Sequence, residues 1–527
     1  MAARTLNQRI AASTGIVMAS ILASRLLGFL REWAVAHQFG SSAITDAYYT
    51  AFTLPDFVNY LVAGGSLSIT FIPVFAKYMA EENEEEGWYV FSTVITSMLL
   101  LLIILVAVGE FFAPALLHVI APGFNPAEKT HAVFLTRLMM PAQIFFYLGS
   151  ILSAVQYAKG RFLVSSLGPV VYNLGIILCG FLLASSVGIT GFSVGVLIGA
   201  FAGNFLLQIY GARSVGARFR PNLKLGHPGF RLFIKLAVPV MLALSVVYSD
   251  DWIIRWFGSY LVPASITWLS YAKILMRVPI GVIGQAVGVA SFPFLAQLYA
   301  ERKYDELNRT FNTTLKGLLL MILPVSALTI AMNRPLVYFV FSHTRLLIPD
   351  LNATAAALAL FSASMFAWGA QGILARGFYA GRDTLRPALY GTAITFLNLP
   401  VYWLLVRSMQ FRGLALASSI GISVYAVILF VALYKSTGNE ATLEIVGFFL
   451  KTSVASAVGA IGAYGIVHWL EGVTNWHHTS GALLVLVVAT PVGLALTAIT
   501  AKLLGIREMD HYLKSLPLFS RPRHTAP

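Results

Sequence analysis

Long apolar segments recur along the whole of this 527-residue chain, and they limit the folds that it can adopt. About fourteen of them have roughly 18 or more residues, enough for a helix to cross the roughly 30 Å of hydrocarbon in a bilayer. Only 11% of the residues are charged, against roughly 25% in soluble domains. The alternating pattern of a lipid-facing β-barrel is not seen. We therefore predict an all-α polytopic membrane protein with about fourteen transmembrane helices.

Lys and Arg gather at one set of segment ends, which predicts the orientation in the membrane. If the N-terminus is cytoplasmic, most of the 36 Lys and Arg residues fall on the cytoplasmic side, as the positive-inside rule requires. We therefore predict that both termini are cytoplasmic. The net charge of +14 then belongs to loops and helix ends rather than to a nucleic-acid site. The predicted segments span residues 11–38, 47–76, 88–120, 132–157, 162–186, 189–212, 230–257, 264–298, 311–341, 352–375, 385–406, 413–434, 445–470 and 480–505.

Short motifs recur at a spacing of about 220 residues, which indicates an internal repeat. With an even number of helices in each copy, the two copies have the same orientation, and two such lobes can rock around a central site. We predict two parallel six-helix lobes around a central cavity, followed by two C-terminal helices. The recurring motifs are Pro73–Glu81 with Pro293–Glu301, Phe39–Ser41 with Phe257–Ser259, and Tyr157–Arg161 with Tyr379–Arg382.

The repeat also predicts how the chain divides. Residues 1–213 form the N-lobe, 214–229 a cytoplasmic linker, and 230–435 the C-lobe. Residues 436–527 add the last two helices and a basic cytoplasmic tail. The two added helices either form a groove for a lipid tail or simply pack on the bundle.

Charged residues inside the first apolar segment are candidate functional residues. An arginine at mid-membrane depth costs roughly 2.5–3.5 kcal/mol on insertion scales, so it usually faces a cavity or a partner. Arg25 and Arg31 lie six residues apart, Glu32 follows, and Gly28 lies midway as a predicted kink or close-packing point. We predict that Arg25 and Arg31 line one wide cavity.

The second lobe carries charge at the corresponding depth. Asp250 and Asp251 precede Trp252 as Arg31 and Glu32 precede Trp33, and Arg255, Lys273 and Arg277 follow. Lys273 and Arg277 are spaced i, i+4 and so are predicted to share a helix face. Basic residues in both lobes favour an anionic ligand. The alternative is that these acids and bases pair with one another and fix the packing.

Several chemistries are not indicated. Cys179 is the single cysteine, so an intramolecular disulfide is not possible. His343, His477 and His478 lack a ligand-spaced acid cluster, so neither a metal site nor an enzyme acting on polyprenyl phosphates is favoured. No Walker motif is present, and we predict a transporter without a cofactor rather than an ATP-driven pump or an enzyme.

Four further motifs occur at Ser24–Arg31, Thr45–Ala47, Leu54–Pro55 and Gly377–Pro387. They are similar to those of the MurJ (MviN-like) family, the bacterial lipid II flippases of the MOP exporter superfamily. The resemblance covers essentially the whole chain and implies export of undecaprenyl-pyrophosphate-linked peptidoglycan precursor from the inner to the outer leaflet by alternating access. It implies a monomeric inner-membrane protein that contacts lipid II, membrane lipids and cell-wall synthesis proteins.

The resemblance also assigns roles to residues. It places Arg25, Arg31 and Asp46 in essential cavity positions. Where the family often has an arginine after Leu-Pro, this chain has Asn59. Where it often has Tyr-Ala-Asp-Arg in the eighth helix, this chain has Tyr-Ala-Lys-Ile, ending at Ile274. We predict that Lys273 and Arg277 replace the missing arginine.

Competing functions remain open at this stage. A cation-coupled drug antiporter of the same superfamily would need an acidic cavity, whereas the basic candidates here outnumber the acidic ones. An O-antigen-type flippase would carry its cargo on the same lipid pyrophosphate. The driving force is predicted to be Na⁺ or H⁺ coupling or the membrane potential. Asp250 and Asp251 are the candidate coupling carboxylates, and an ion pair with Arg255 is the alternative.

Overall fold

The computed structural model describes residues 6–62, 66–247, 249–381, 383, 385–474 and 477–509. Within these ranges the regular structure is helical, without a strand. The helices group into two compact units, Met1–Thr267 and Trp268–Pro527. The all-α prediction is confirmed.

In its described residues, the first unit contains twelve α-helices, one π-helical segment and the start of a thirteenth helix. They are α1 (Leu6–Phe39), α2 (Ala43–Ala51), α3 (Thr53–Val62), α4 (Ser66–Ala80), α5 (Glu84–Ile120), α6 (Pro126–Met139), α7 (Ala142–Ala158), α8 (Leu163–Val187), α9 (Thr190–Ala200), the π-helical segment Phe201–Leu206, α10 (Leu207–Ser214), α11 (Pro228–Val247) and α12 (Ser249–Gly258). The thirteenth helix, α13 (Ser265–Ala300), begins in this unit.

The second unit contains the rest of α13 and the helices that follow it. They are α14 (Tyr304–Ala331), α15 (Asn333–Phe341), α16 (Ile348–Ser362), α17 (Met365–Ala380), α18 (Leu385–Leu397), α19 (Leu399–Met409), α20 (Phe411–Thr437), α21 (Thr442–Glu471) and α22 (Thr479–Leu503). Helices α21 and α22 pack on each other and on α14.

Each predicted apolar segment falls on one helix or on a run of consecutive helices. The segment predicted at 162–186 is α8, whereas that at 47–76 divides into α2, α3 and α4. In the described residues, nine helices or helix runs are long and apolar enough to cross a membrane. Two bent pairs, α16 with α17 at 44° and α18 with α19 at 41°, raise this number to eleven. The count of about fourteen stays a prediction.

The internal repeat is visible in the backbone of matching turns. Helix α4 is followed by Glu82 at φ 56°, and α13 by Arg302 at φ 57°. In both turns the next residue donates its N–H to the carbonyl five positions earlier, at 3.0 Å. Helices α8 and α19 end similarly, at Gly188 (φ 61°) and Gln410 (φ 55°). Because residues with a side chain, such as Glu82, Arg302 and Gln410, rarely have a positive φ, the agreement supports a duplicated fold. Arg382, which closes one repeated motif, lies outside the described residues.

The boundary between the two contact-defined units differs from the lobe boundary that the repeat predicts. Helix α11 packs against α3, α4 and α5 and so belongs by contact to the first unit, whereas the repeat assigns residues 230–435 to one lobe. The predicted lobes, linker and C-terminal region therefore stay predictions. Most of the predicted basic tail, residues 510–527, lies outside the described residues.

The linker at residues 214–229 is held along the first turns of α5. The Ser92 hydroxyl accepts a hydrogen bond from the backbone N–H of Arg220 at 3.0 Å. His227, which is buried, places its Nε2 atom 2.5 Å from a carboxylate oxygen of Glu86. These contacts fix the linker to the first unit.

Helices α8 and α9 approach closely through glycine. A Cβ added at Gly199 would lie 2.5 Å from the carbonyl oxygen of Tyr172, and one at Gly195 would lie 2.6 Å from the Cα of Ile176. Gly203 continues the four-residue spacing, the small-xxx-small pattern that lets membrane helices touch backbone to backbone. This contact positions α8, which carries part of the candidate site.

Candidate functional site

Arg31 and Glu32 form an ion pair on α1. The Arg31 Nη2 and Nε atoms donate to Glu32 Oε1 at 2.5 and 3.0 Å. The Tyr49 hydroxyl of α2 donates to the other carboxylate oxygen at 2.6 Å. Glu32 is only 8% exposed. Arg31 is therefore a paired cation, which is the alternative that the sequence left open.

Asn173 connects the Arg31–Glu32 pair of α1 to helix α8. Its Oδ1 atom accepts a hydrogen bond from Arg31 at 3.4 Å, and its amide donates to the Pro169 carbonyl at 2.9 Å. Arg31 is thus held between a carboxylate and an amide. The Arg31 side chain as a whole keeps 23% of its surface accessible.

Gly28 does not act as the predicted close-packing point. Helix α1 runs unbroken through it. A Cβ at this position would approach only Asn173 Oδ1, at 3.9 Å, which is ordinary van der Waals contact. A glycine is therefore not required there by packing.

Arg25 is exposed on α1, and no described residue forms a hydrogen bond or ion pair with it. The structure therefore does not bring Arg25 into the Arg31 group. Asn59, on α3, is partly buried. The cavity roles predicted for Arg25, Arg31 and Asn59 stay predictions.

Asp46 caps the start of α13. Its carboxylate accepts the backbone N–H of Ala264 at 2.8 Å and that of Thr267 at 2.7 Å, and it accepts the Thr267 hydroxyl at 2.6 Å. Ala264 has φ 80°, a strained value for a residue with a side chain. The carboxylate thus satisfies N–H groups at a helix start, where the helix dipole favours negative charge, and it does not orient an arginine.

We expect Asp46→Ala to destabilise the protein by about 1–3 kcal/mol, because two N–H groups of the cap lose a charged acceptor. Asp46→Asn keeps one acceptor oxygen and should cost less. The thermal midpoint of the detergent-solubilised protein measures both. Equal midpoints for Asp46→Ala and the unchanged protein would show that the cap contributes nothing.

Helix α12 is short and carries three charged residues. Asp250, Asp251 and Arg255 are each partly buried, and the Phe57 and Trp252 rings, 5.1 Å apart, pack α12 against α3. Asp251 and Arg255 have the i, i+4 spacing that allows an ion pair. The coupling role of the two carboxylates stays a prediction.

Lys273 and Arg277 differ in their surroundings. Lys273 is 6% exposed and places its Nζ atom 5.5 Å from the centre of the Phe361 ring, whereas Arg277 is exposed. The i, i+4 spacing therefore does not give the two cations one environment. Their replacement of the family's arginine stays a prediction.

Tyr49 and Asn173 were not identified from the sequence. A signal was available for Asn173, since an amide in the middle of the apolar segment at 162–186 must find a polar partner inside the bundle. Tyr49 carries no such signal. Tyrosine is common in helices, because its hydroxyl can form a hydrogen bond with a nearby group.

An apolar pocket lies in the second unit, away from these residues. It has a volume of about 140 Å³. Helices α14, α17, α20 and α21 line it, with residues that include Leu319, Phe366, Phe430 and Phe449. Of the two C-terminal helices, α21 contributes to this pocket and α22 does not.

Solved transporters of the MOP superfamily have this architecture. An inward-facing multidrug resistance MATE family transporter of that superfamily aligns with a TM-score of 0.67, over 80% of this chain and 98% of its own, at 14% identity. At that identity the likeness concerns the fold alone. The chain is a multi-pass membrane protein with the helical fold of MOP-superfamily transporters.

Proteins with higher sequence identity to this chain show which family of transporters it resembles. A solved lipid II flippase MurJ in an inward closed conformation aligns with a TM-score of 0.77 and 23% identity, over 93% of this chain and 99% of its own. The probable lipid II flippase MurJ of Buchnera aphidicola is 26% identical, over 94% of this chain and 97% of the relative. The family model described as lipid II flippase MurJ matches residues 35–487. The chain belongs to the lipid II flippase MurJ family.

Proposed function

We propose that this chain moves lipid II, the undecaprenyl-pyrophosphate-linked peptidoglycan precursor, from the inner to the outer leaflet of the bacterial cytoplasmic membrane. The observation that carries the proposal is the family match over residues 35–487, which reaches across both units of the structure. Transport of this kind needs no catalytic residue. It needs a protein with two lobes that alternately open to either side.

The charge of the substrate fits the residues available. A pyrophosphate carries delocalised negative charge, which guanidinium groups bind bidentately. Arg25 is exposed, and the partly exposed Arg31 keeps donor capacity beyond its pair with Glu32. Both are candidate contacts for the phosphates.

A drug antiporter is the less favoured function. The solved MATE transporter supports an antiporter only through its fold, at 14% identity. The MurJ family model matches the sequence of residues 35–487. An O-antigen-type flippase is less favoured for the same reason.

Further parts of the proposal concern setting and energy. We place both termini in the cytoplasm and the protein in the inner membrane, where it works as a monomer beside cell-wall synthesis proteins. Na⁺, H⁺ or the membrane potential drives the cycle, with Asp250 and Asp251 as candidate coupling groups.

Complementation tests the proposal. In a bacterium depleted of its own lipid II flippase, expression of this chain is expected to restore growth and to prevent accumulation of lipid II. An inactive membrane protein of similar size, expressed to the same level, serves as the control. Continued lipid II accumulation despite normal membrane levels of this chain would contradict the proposal.

A further inference from the structure

Helix α17 has one polar, less buried face. Trp368, Gln371, Gly372, Arg376 and Tyr379 follow one another at helical spacing, and each is partly buried or exposed. Most of the remaining positions of α17 are buried among apolar neighbours. A membrane helix normally turns apolar side chains toward lipid, so this face requires another explanation.

Other helices of this unit expose apolar side chains. Val427 of α20, Leu450 of α21 and Val487 of α22 are 57%, 57% and 60% exposed. In α17, Tyr379 is the one large hydrophobic side chain that is exposed, among the residues that the structure describes. A polar face on a membrane helix borders water or a polar ligand. We conclude that this face of α17 does not border hydrocarbon.

Arg376 provides the charge on this face. Within the described ranges it has no hydrogen bond and no carboxylate partner, and its electrostatic neighbour is the Tyr379 phenol one turn along the helix. Arg31 and Lys316, by contrast, are each paired with a glutamate. A partly buried guanidinium without an acid keeps its donors available for an anion.

The surroundings of Arg376 leave room for a ligand. Among the described residues, no atom outside the helix's own backbone lies within 4 Å of a Cβ built at Gly372, one turn before Arg376. Helices α18 and α20 both pack against α17. The Tyr425 hydroxyl of α20 donates to the Pro387 carbonyl of α18 at 2.9 Å. These two helices therefore hold α17 in place.

We propose that Arg376 contacts a phosphate group of the transported lipid through the open space beside Gly372. This inference rests on the proposed function and adds to it a substrate-binding residue in the second unit. A guanidinium suits this role because its parallel N–H groups match two phosphate oxygens. It assigns to Arg376 the contact that the sequence predicted for Lys273 and Arg277.

Lipid binding to the purified full chain tests the inference by native mass spectrometry. The probes are lipid II, undecaprenol, which has no phosphate, and phosphatidylglycerol, which has a headgroup phosphate. We expect Arg376→Gln to weaken lipid II binding about tenfold or more and to leave the other two probes unchanged. Arg376→Lys should retain part of the affinity, because the charge remains.

A second substitution, at Gly372, tests the open space beside Arg376 rather than the charge of Arg376. Gly372→Leu should fold, because a Cβ at Gly372 meets no described neighbour within 4 Å, and should also weaken lipid II binding. Gly447→Leu in α21 is the matched control, since a Cβ at Gly447 likewise meets nothing within 4 Å. It should bind lipid II normally.

Two results would overturn the inference. One is unchanged lipid II affinity in Arg376→Gln, whatever the result for Gly372→Leu. The other is an equal loss of lipid II and phosphatidylglycerol, which would make Arg376 a headgroup anchor. If the unchanged protein bound no lipid II, the proposed function itself would fail, so the two failures are distinguishable.

Discussion

Arg31→Ala is expected to abolish lipid II flipping and to destabilise the protein by about 3 kcal/mol or more. The loss of stability follows from the pairing, because Glu32 would remain buried without its cation, and breaking such a pair from one side is costly. The loss of transport follows if the guanidinium contacts the phosphates. Flipping in the depleted strain and the thermal midpoint of the purified protein measure the two effects.

A double substitution separates these effects. In Arg31→Met/Glu32→Leu both charges are removed together, so stability should return to near that of the unchanged protein. Flipping should stay lost, because the Arg31 guanidinium is absent. Normal flipping by the double variant would show that the pair serves packing alone and would remove Arg31 from the substrate site.

Gly199→Leu is expected to prevent normal folding of the first unit. Even a Cβ at this position would lie 2.5 Å from the Tyr172 carbonyl oxygen, and backbone cannot move aside as a flexible side chain can. Overpacking of this kind typically costs about 1–3 kcal/mol for smaller insertions, and the leucine adds three more carbons. Since α8 also carries Asn173, flipping should fall with the amount of folded protein.

Gly465→Leu in α21 is the control for Gly199→Leu. A Cβ at Gly465 meets nothing within 4 Å, and leucine has the higher helix propensity, so this variant should be as stable as the unchanged protein. Fluorescence-detected size-exclusion chromatography after heating gives the folded fraction of both. A Gly199→Leu protein that is as stable as Gly465→Leu would contradict the close approach of α8 and α9.

The helices could be predicted from the sequence because a bilayer leaves few alternatives. Hydrocarbon permits an apolar segment of sufficient length to cross as a helix and little else, so α8 and α22 lie almost where hydropathy places them. The breaks between α2, α3 and α4 depend on local packing that hydropathy does not report. The left-handed residue after α4 recurs after α13 because the motifs before both turns repeat.

The candidate site was harder to predict, because spacing does not determine pairing. Adjacent residues on a helix usually point about 100° apart, so nothing in the order Arg31-Glu32 indicates that they bond to each other. Arg376 was missed for a different reason. It falls just beyond the apolar segment predicted at 352–375, where the positive-inside rule already accounts for an arginine.

We conclude that this chain carries lipid II across the membrane. The leaflet distribution of lipid II in the depleted strain tests this conclusion. An impermeant reagent that reacts only with outer-leaflet lipid II is applied to cells before and after expression of the chain. The account predicts that labelled lipid II rises as the accumulated inner-leaflet pool falls, and that Arg31→Met/Glu32→Leu, at equal membrane level, leaves both pools unchanged. A pool that stays in the inner leaflet while the unchanged chain is present and folded would contradict the account.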